Sequence, residues 1–186
     1  MNTEDVVRAV IVALNEQNVP YMIVSSLATN FYCVPRSTQD ADIVVQRNVA
    51  SVAYQTVSRL PILSFDRQLQ FEGVSATKKA LLRADENDFD IELFELSDDE
   101  HDQERFSRRV KVEILGSTAW IATAEDMLIT KLRWSQQAGR EKDISDARNL
   151  IAVQAELLNW AYVEAWCDRH GTRALLDRLR EECAAP

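Results

Sequence analysis

A change of residue pattern near Thr123 limits the possible folds more than any other feature of the sequence. Before it, short apolar runs alternate with amphipathic stretches, a pattern typical of strands and helices packed together. After it, residues 124–139, 141–153, 157–169 and 172–183 all repeat apolar side chains at helical spacing. We therefore expect a mixed α/β (α+β) core over residues 1–122 and a helical region over residues 123–186 that packs on it.

The elements of the predicted core follow from hydrophobic periodicity. Thr3 can cap a helix over residues 3–18, and further helices are expected at residues 27–32, 48–59 and, as a solvated charged helix, 98–109. Strands are expected at residues 21–24 and 40–45, around Leu63 and Phe71, near Leu81, and at residues 111–114 and 119–121. Period-two alternation predicts one more strand at residues 89–95. These elements suit a small mixed sheet with flanking helices.

The charge balance excludes some partners. Acidic residues outnumber basic ones 30 to 21, which gives a net charge of -9. General binding to duplex DNA needs a cationic surface, so it is not expected here. A local basic site, a cationic small substrate or a protein partner stays open.

Cysteine spacing and hydropathy bear on the compartment. Cys33, Cys167 and Cys183 are odd in number and far apart, which favours reduced thiols over a disulfide framework. No signal-peptide pattern and no apolar run of the roughly 18 residues that a membrane span needs is present. We therefore expect a cytoplasmic protein without a membrane partner.

The segment Asp40-Ala41-Asp42 is the first feature that indicates chemistry. Residues two apart on a strand share a face, and two neighbouring carboxylates repel each other unless a cation lies between them. Carboxylate oxygens are suitable ligands for Mg²⁺. Asp90 in the alternating strand is the best third ligand, with Glu92 as the second choice. The alternative is that these aspartates only end a strand in solvent.

A pair of small residues precedes this segment. Ser25 and Ser26 follow the apolar strand at residues 21–24 and come directly before a predicted helix. Backbone N–H groups at a helix N-terminus bind anions, and a serine hydroxyl can add a hydrogen bond. A phosphate site followed by a metal site is the combination that a nucleoside triphosphate requires.

Two parts of the chain resemble a known family. Residues 23–28 and 35–45 resemble the DNA polymerase β-type nucleotidyltransferase superfamily, in particular the bacterial branch that includes the AbiEii-type toxins. In that branch a strand ends in Gly-Gly or Gly-Ser, and a Pro-Arg-x-Thr-x-Asp-x-Asp segment follows a short helix. The matching residues are Pro35, Arg36, Thr38, Asp40 and Asp42. Residues 124–132 and 140–146 resemble its lysine helix and its Arg-x-Lys-Asp-x-x-Asp segment.

The resemblance implies an activity and roles for the residues that match. It implies transfer of a nucleoside monophosphate from a nucleoside triphosphate to a hydroxyl acceptor, with Mg²⁺ or Mn²⁺ as the cofactor. Asp40 and Asp42 would hold both metals, and Asp90 would complete the one that activates the acceptor. Ser25 and Ser26 would hold the β- and γ-phosphates.

Three more residues enter through the resemblance. Lys131 becomes a triphosphate ligand, and Asp143 positions Lys131 or the acceptor. Without the resemblance, Lys131 is a lysine whose stem lies along an apolar face, and Asp143 belongs to an exposed ion pair. Arg36 either contacts phosphate or pairs with Asp40 in the absence of ligand. Lys131→Ala is expected to weaken MgATP binding while the melting temperature barely moves.

The sequence departs from the family at Ser25, where the family has glycine. A Cβ atom restricts positive φ, so the alternative function is a weakened or inactive nucleotidyltransferase-like protein that binds a nucleotide or a partner. A toxin–antitoxin component acting with a cognate protein partner is a further alternative. The acceptor stays open among tRNA, protein and small hydroxylated molecules.

Overall fold

The computed structural model describes residues 2–65, 70–72, 77–84 and 88–184. Eight α-helices and one short 3₁₀ helix, Arg47–Val49, are present in these ranges. The α-helices are α1 (Thr3–Glu16), α2 (Ser25–Tyr32), α3 (Ala50–Ser58), α4 (Glu100–Arg108), α5 (Ala124–Ala138), α6 (Glu141–Gln154), α7 (Trp160–His170) and α8 (Arg173–Ala184).

The strands of the described residues form one mixed sheet. They are β1 (Tyr21–Val24), β2 (Asp40–Val45), β3 (Leu63–Phe65), β4 (Gln70–Glu72), β5 (Thr77–Ala84), β6 (Phe89–Glu95), β7 (Val110–Ile114) and β8 (Ser117–Ile121). Their order is β3-β5-β6-β2-β1-β8-β7, and β4 pairs with β5. The β2–β6 and β1–β8 pairs are parallel and the others antiparallel. The mixed α/β prediction is confirmed.

The chain forms two compact units. One comprises Met1–Leu27 with Ser37–Ala122, and the other comprises Ala28–Arg36 with Thr123–Pro186. The second unit therefore includes most of α2 and the loop after it, together with α5 to α8. The assignment of residues 1–122 and 123–186 as domains, with the second packed on the first, stays a prediction.

The sheet unit has its apolar core around β1 and α1. All four residues of β1 are buried, and α1 buries the apolar face that its periodicity predicts. The predicted cap of α1 was wrong by one residue. Asn2, not Thr3, is the N-cap, because its side chain accepts from the Asp5 N–H while Asp5 accepts from the Asn2 N–H.

Helix α4 was expected to be solvated, and the structure corrects this. His101, Arg105 and Phe106 are buried. Arg105 tolerates burial because Asp102, one turn earlier, lies 2.8 Å from its Nε atom. The helix is therefore amphipathic, with a charged side chain inside its buried face.

Helices α5 to α8 follow the predicted spacing and carry recognisable ends. Thr123 caps α5 by accepting from the Asp126 N–H, and Gly139 ends that helix in the left-handed conformation. Apolar side chains at helical spacing, among them Met127, Leu132 and Leu150, are fully buried. Within the described part of the chain, no helix is long and apolar enough to cross a membrane.

Candidate functional site

The serine pair, Ser25 and Ser26, and the aspartates of β2 lie at the same end of the neighbouring strands β1 and β2. In the antiparallel β1–β2 pair, Val24 lies opposite Asp42. Ser25 and Ser26 follow Val24 directly and are the first two residues of α2, which begins two residues before the predicted helix. The small pair and the aspartate pair are therefore adjacent in the sheet unit.

The strand order brings further carboxylates to this place. In the parallel β2–β6 pair, Asp40 lies opposite Asp90 and Asp42 lies opposite Glu92. Residues opposite each other on neighbouring strands share a face, and such strands are about 4.8 Å apart. Asp40, Asp42, Asp90 and Glu92 thus occupy one face of the sheet, which agrees with the predicted alternation around Asp90.

Each of three carboxylates on this face has an identified partner. The Thr38 hydroxyl donates to Asp40 Oδ1 at 2.7 Å. Arg83 donates to both oxygens of Asp90, at 3.0 Å from Nε and 3.4 Å from Nη2. Lys79 Nζ donates to Glu92 Oε1 at 2.7 Å. Two of these carboxylates therefore form ion pairs with cations of the neighbouring strand β5.

Sequence reasoning missed Arg83 and Lys79. The signal was present, because Lys79, Leu81 and Arg83 alternate along β5 with the period of a strand. What the sequence did not show is that β5 pairs with β6 and places Arg83 opposite Asp90. Both cations belong to the same face as the aspartate pair.

The residues on this face fit a divalent cation by their chemistry. Asp40 and Asp42 lie two residues apart on β2, and Asp90 lies opposite Asp40. Their carboxylate oxygens are the kind of ligand that Mg²⁺ prefers. In the described ranges, no group of three His, Cys, Asp or Glu side chains is arranged to hold a metal ion. Asp90 is bound to Arg83 instead. The metal roles of Asp40, Asp42 and Asp90 stay predictions.

Ser25 adopts an unusual backbone conformation. Its φ is +56°, in the left-handed region that glycine enters readily and other residues rarely adopt. Ser25 stands where the family that the sequence resembles has glycine, and its own backbone lies in the region that glycine enters readily. Ser26, next to it, is buried. The predicted phosphate-binding role of both residues is untested.

A second charged cluster lies in the helical unit and centres on Lys131. The side chains of Lys131 and Asp143 are 1% exposed, and that of Asp146 is 3% exposed. Lys131 Nζ lies 3.0 Å from Asp143 Oδ1 and 2.7 Å from Asp146 Oδ2. The interpretation of Asp143 as part of an exposed ion pair is therefore wrong, and Asp143 accepts a hydrogen bond from Lys131, the residue that it was expected to position.

Two arginines extend this cluster towards solvent. Arg36 donates from Nε and Nη2 to the two oxygens of Asp146, at 2.9 and 3.0 Å. Arg140 Nε lies 2.8 Å from Asp143 Oδ2. The Asn30 side chain bonds both the N–H and the C=O of Arg36, which holds the loop after α2 in place. The predictions for Arg36 named phosphate or Asp40, and the observed partner is Asp146.

These contacts shift the acidity of Asp146. Burial alone would raise the pKa of its carboxyl group. Hydrogen bonds from Arg36 and Lys131, with their positive charges, outweigh burial and hold the pKa below its usual value. Asp146 is therefore ionised in the folded protein at neutral pH.

No protein-family model and no curated protein matches the chain. Solved structures do match. ANT(2″)-Ia in complex with adenylyl-2″-tobramycin gives a TM-score of 0.66 at 13% identity, over 94% of this chain and 99% of that chain.

Two further structures agree with this match. The lincosamide antibiotic adenylyltransferase LnuA, with lincomycin bound, gives a TM-score of 0.58 at 11% identity, over 81% of this chain and 98% of that one. An antigenic nucleotidyltransferase-like protein from Paracoccidioides brasiliensis gives a TM-score of 0.54 at 18% identity, over 96% of this chain and 92% of that one. Identities this low establish the fold alone. The chain therefore has the nucleotidyltransferase fold, while the AbiEii-type branch stays a prediction.

Proposed function

We propose that this protein is a metal-dependent nucleotidyltransferase that moves a nucleoside monophosphate from a nucleoside triphosphate to a hydroxyl acceptor. The observation that carries the proposal is the strand register. It puts Asp40 opposite Asp90 and Asp42 opposite Val24, the residue before Ser25. Carboxylates and a helix N-terminus are then adjacent on a nucleotidyltransferase fold, and each suits one part of a metal–triphosphate.

In this proposal, Asp40, Asp42 and Asp90 hold Mg²⁺ or Mn²⁺. The bound cation would supply positive charge to the phosphate oxygens and to the acceptor oxygen. Ser25 and Ser26 hold the β- and γ-phosphates. The acceptor oxygen bonds to the α-phosphorus, the bond from that phosphorus to the bridging oxygen breaks, and pyrophosphate leaves. Asp90 takes the hydroxyl proton.

The conformation of Ser25 supports an active enzyme over the inactive alternative. If a glycine-like backbone is needed for phosphate to approach the main chain, φ of +56° provides it despite the Cβ atom. A residue in this region is strained, and such strain persists where surrounding structure maintains it, often at functional sites. Binding of MgATP without transfer to any acceptor would favour the inactive, nucleotide-binding alternative.

Three residues of the helical unit are also part of the proposal. Arg36, Lys131 and Asp143 stay predicted nucleotide-binding residues. Within their own unit, Arg36 is 38% exposed whereas Lys131 is 1% exposed. Arg36 is thus the more accessible cation, and Lys131 supports it through Asp146.

For the acceptor we propose a small hydroxylated molecule, cationic in preference to neutral. The excess of acidic residues is concentrated in the sheet unit, and it disfavours a polyanion such as tRNA. The structures of ANT(2″)-Ia and LnuA contain adenylyl-tobramycin and lincomycin, which supports a small molecule. A toxin role would instead require an effect on growth, controlled by a cognate protein.

The test is a labelled-transfer screen. The purified protein is incubated with each α-labelled nucleoside triphosphate and Mg²⁺ or Mn²⁺, against tRNA, proteins and hydroxylated small molecules with and without amino groups. We expect label on a small cationic acceptor, and none with the Asp40→Asn/Asp42→Asn variant. Absence of both nucleotide binding and transfer would contradict the proposal. Co-expression with the neighbouring gene product, with growth as the readout, tests the toxin role.

A further inference from the structure

The carboxylate of Asp90 is engaged by a cation of the protein itself. Arg83 Nε lies 3.0 Å from Asp90 Oδ1, and Nη2 lies 3.4 Å from Oδ2, so one guanidinium spans both oxygens. The two residues are direct cross-strand partners on β5 and β6. Asp90 is also the strand partner of Asp40. An internal cation therefore occupies the carboxylate that the proposed metal site needs.

The neighbouring pair on the same face differs in exposure. The side chains of Lys79 and Glu92 are 15% and 20% exposed, whereas those of Arg83 and Asp90 are 55% and 26% exposed. Lys79 also lies over the Phe94 ring, 5.6 Å from its centroid. An exposed ion pair is screened by water and opens readily, whereas a less exposed one is harder to separate. Asp90 is thus the releasable carboxylate and Glu92 the fixed one.

We infer that Arg83 is a positioning residue that serves as a removable counter-ion of Asp90. A divalent cation arriving at Asp40 and Asp42 displaces the guanidinium and takes Asp90 as a further ligand, while Glu92 stays with Lys79. This inference rests on the proposed function. It explains why a guanidinium is bound to Asp90 on this face, and why Asp90 is favoured over Glu92 as the third ligand.

The test measures Mn²⁺ binding without nucleotide, from the free-ion electron paramagnetic resonance signal. Arg83→Gln removes the competing cation, so we expect Mn²⁺ to bind about 3- to 10-fold more tightly than to wild type. Lys79→Gln is the matched control, because it removes one positive charge from the same face without freeing Asp90. It is expected to change the affinity much less. Arg83→Lys keeps the charge but cannot span both oxygens, and an intermediate affinity is expected.

The outcomes separate this inference from the proposed function. Unchanged or weaker Mn²⁺ binding to Arg83→Gln overturns the counter-ion role, provided that wild type binds Mn²⁺ and Asp40→Asn does not. Equal tightening by Lys79→Gln also overturns it, since any lost positive charge would then have the same effect. Absence of Mn²⁺ binding in wild type, with and without ATP, overturns both. Arg83→Gln that binds more tightly only while Asp90 is intact supports the inference.

Discussion

Lys131 donates a hydrogen bond to Asp143 across 3.0 Å, and both side chains are 1% exposed. A buried charge is tolerated only when it is paired, and Asp146, 2.7 Å from the same ammonium group, gives Lys131 a second carboxylate. Arg36 reaches Asp146 from the loop after α2. The charges therefore connect α5, α6 and this loop inside one compact unit.

Lys131→Met should strongly destabilise the protein. The substitution keeps the apolar stem but leaves two buried carboxylates without their shared cation. Breaking a buried pair in this way costs about 3–5 kcal/mol of unfolding free energy. Chemical denaturation followed by circular dichroism measures it. The sequence alone predicts that loss of Lys131 leaves the melting temperature nearly unchanged. Because Lys131 is buried, we now expect the melting temperature to fall.

Lys142→Met is the matched control for this prediction. Lys142 lies in the first turn of α6 and is exposed, and surface substitutions usually change stability by less than about 0.5 kcal/mol. Similar losses in the two variants would contradict the importance of the buried cluster. Loss of MgATP affinity in Lys131→Met beyond the unfolded fraction would indicate that Lys131 also acts on nucleotide.

The depressed pKa of Asp146 predicts a stability change in acid. The folded protein keeps this carboxylate ionised below its ordinary pKa of 3.8, so the unfolded chain takes up the proton first. Its contribution is complete above about pH 5 and is lost as the pH falls through the folded-state pKa. Unfolding free energies of wild type and Asp146→Asn should therefore differ most above about pH 5, and the difference should shrink as the pH falls through 3.8 towards the folded-state pKa. A constant gap across this range would contradict the prediction.

Ser25→Gly should stabilise the fold modestly. A left-handed residue with a Cβ atom costs about 1–2 kcal/mol, and the flexibility that glycine adds to the unfolded chain offsets part of that gain. We expect a net gain of up to about 1 kcal/mol, measured as a higher melting temperature. Ser25→Ala keeps the backbone penalty and loses the hydroxyl, so it is the control. A glycine variant that melts below the alanine variant would refute the strain at this position.

Substitution of either aspartate of β2 should abolish transfer without unfolding the sheet. Asp40→Asn or Asp42→Asn removes the negative charge of a proposed metal ligand, and activity should fall by more than about 100-fold. Substitution of a residue that only hydrogen-bonds to a metal ligand already lowers metal affinity or activity about 10- to 100-fold. Initial rates with labelled nucleotide provide the measurement. Asp98→Asn, which alters an exposed carboxylate paired with Arg47, should retain activity. Equal losses in all three variants would argue against a specific role for β2.

Local patterns of the sequence predict most elements of this fold. Strands β2 and β6 begin and end where the sequence predicts them, β6 from its period-two alternation and β2 from its apolar run, because both patterns depend only on neighbouring residues. The ends of helices are less accurate, as at Asn2, because competing polar side chains can each serve as the cap. The segments around residues 66–69, 73–76 and 85–87 lie outside the described residues, so the predicted strands near them are tested only at β3, β4 and β5.

The sequence by itself determined that Asp40 and Asp42 share a face, that a pair of small residues follows β1, and that helices follow Thr123. Only the tertiary structure decided that β6 lies beside β2 and that Arg83 forms an ion pair with Asp90. It also decided that Lys131 is buried and paired with both Asp143 and Asp146. It also decided the left-handed backbone of Ser25. Face and periodicity are local properties of the chain. Strand order, burial and ion pairing depend on residues far apart in sequence, which become neighbours only when the whole sheet and the helical unit have formed.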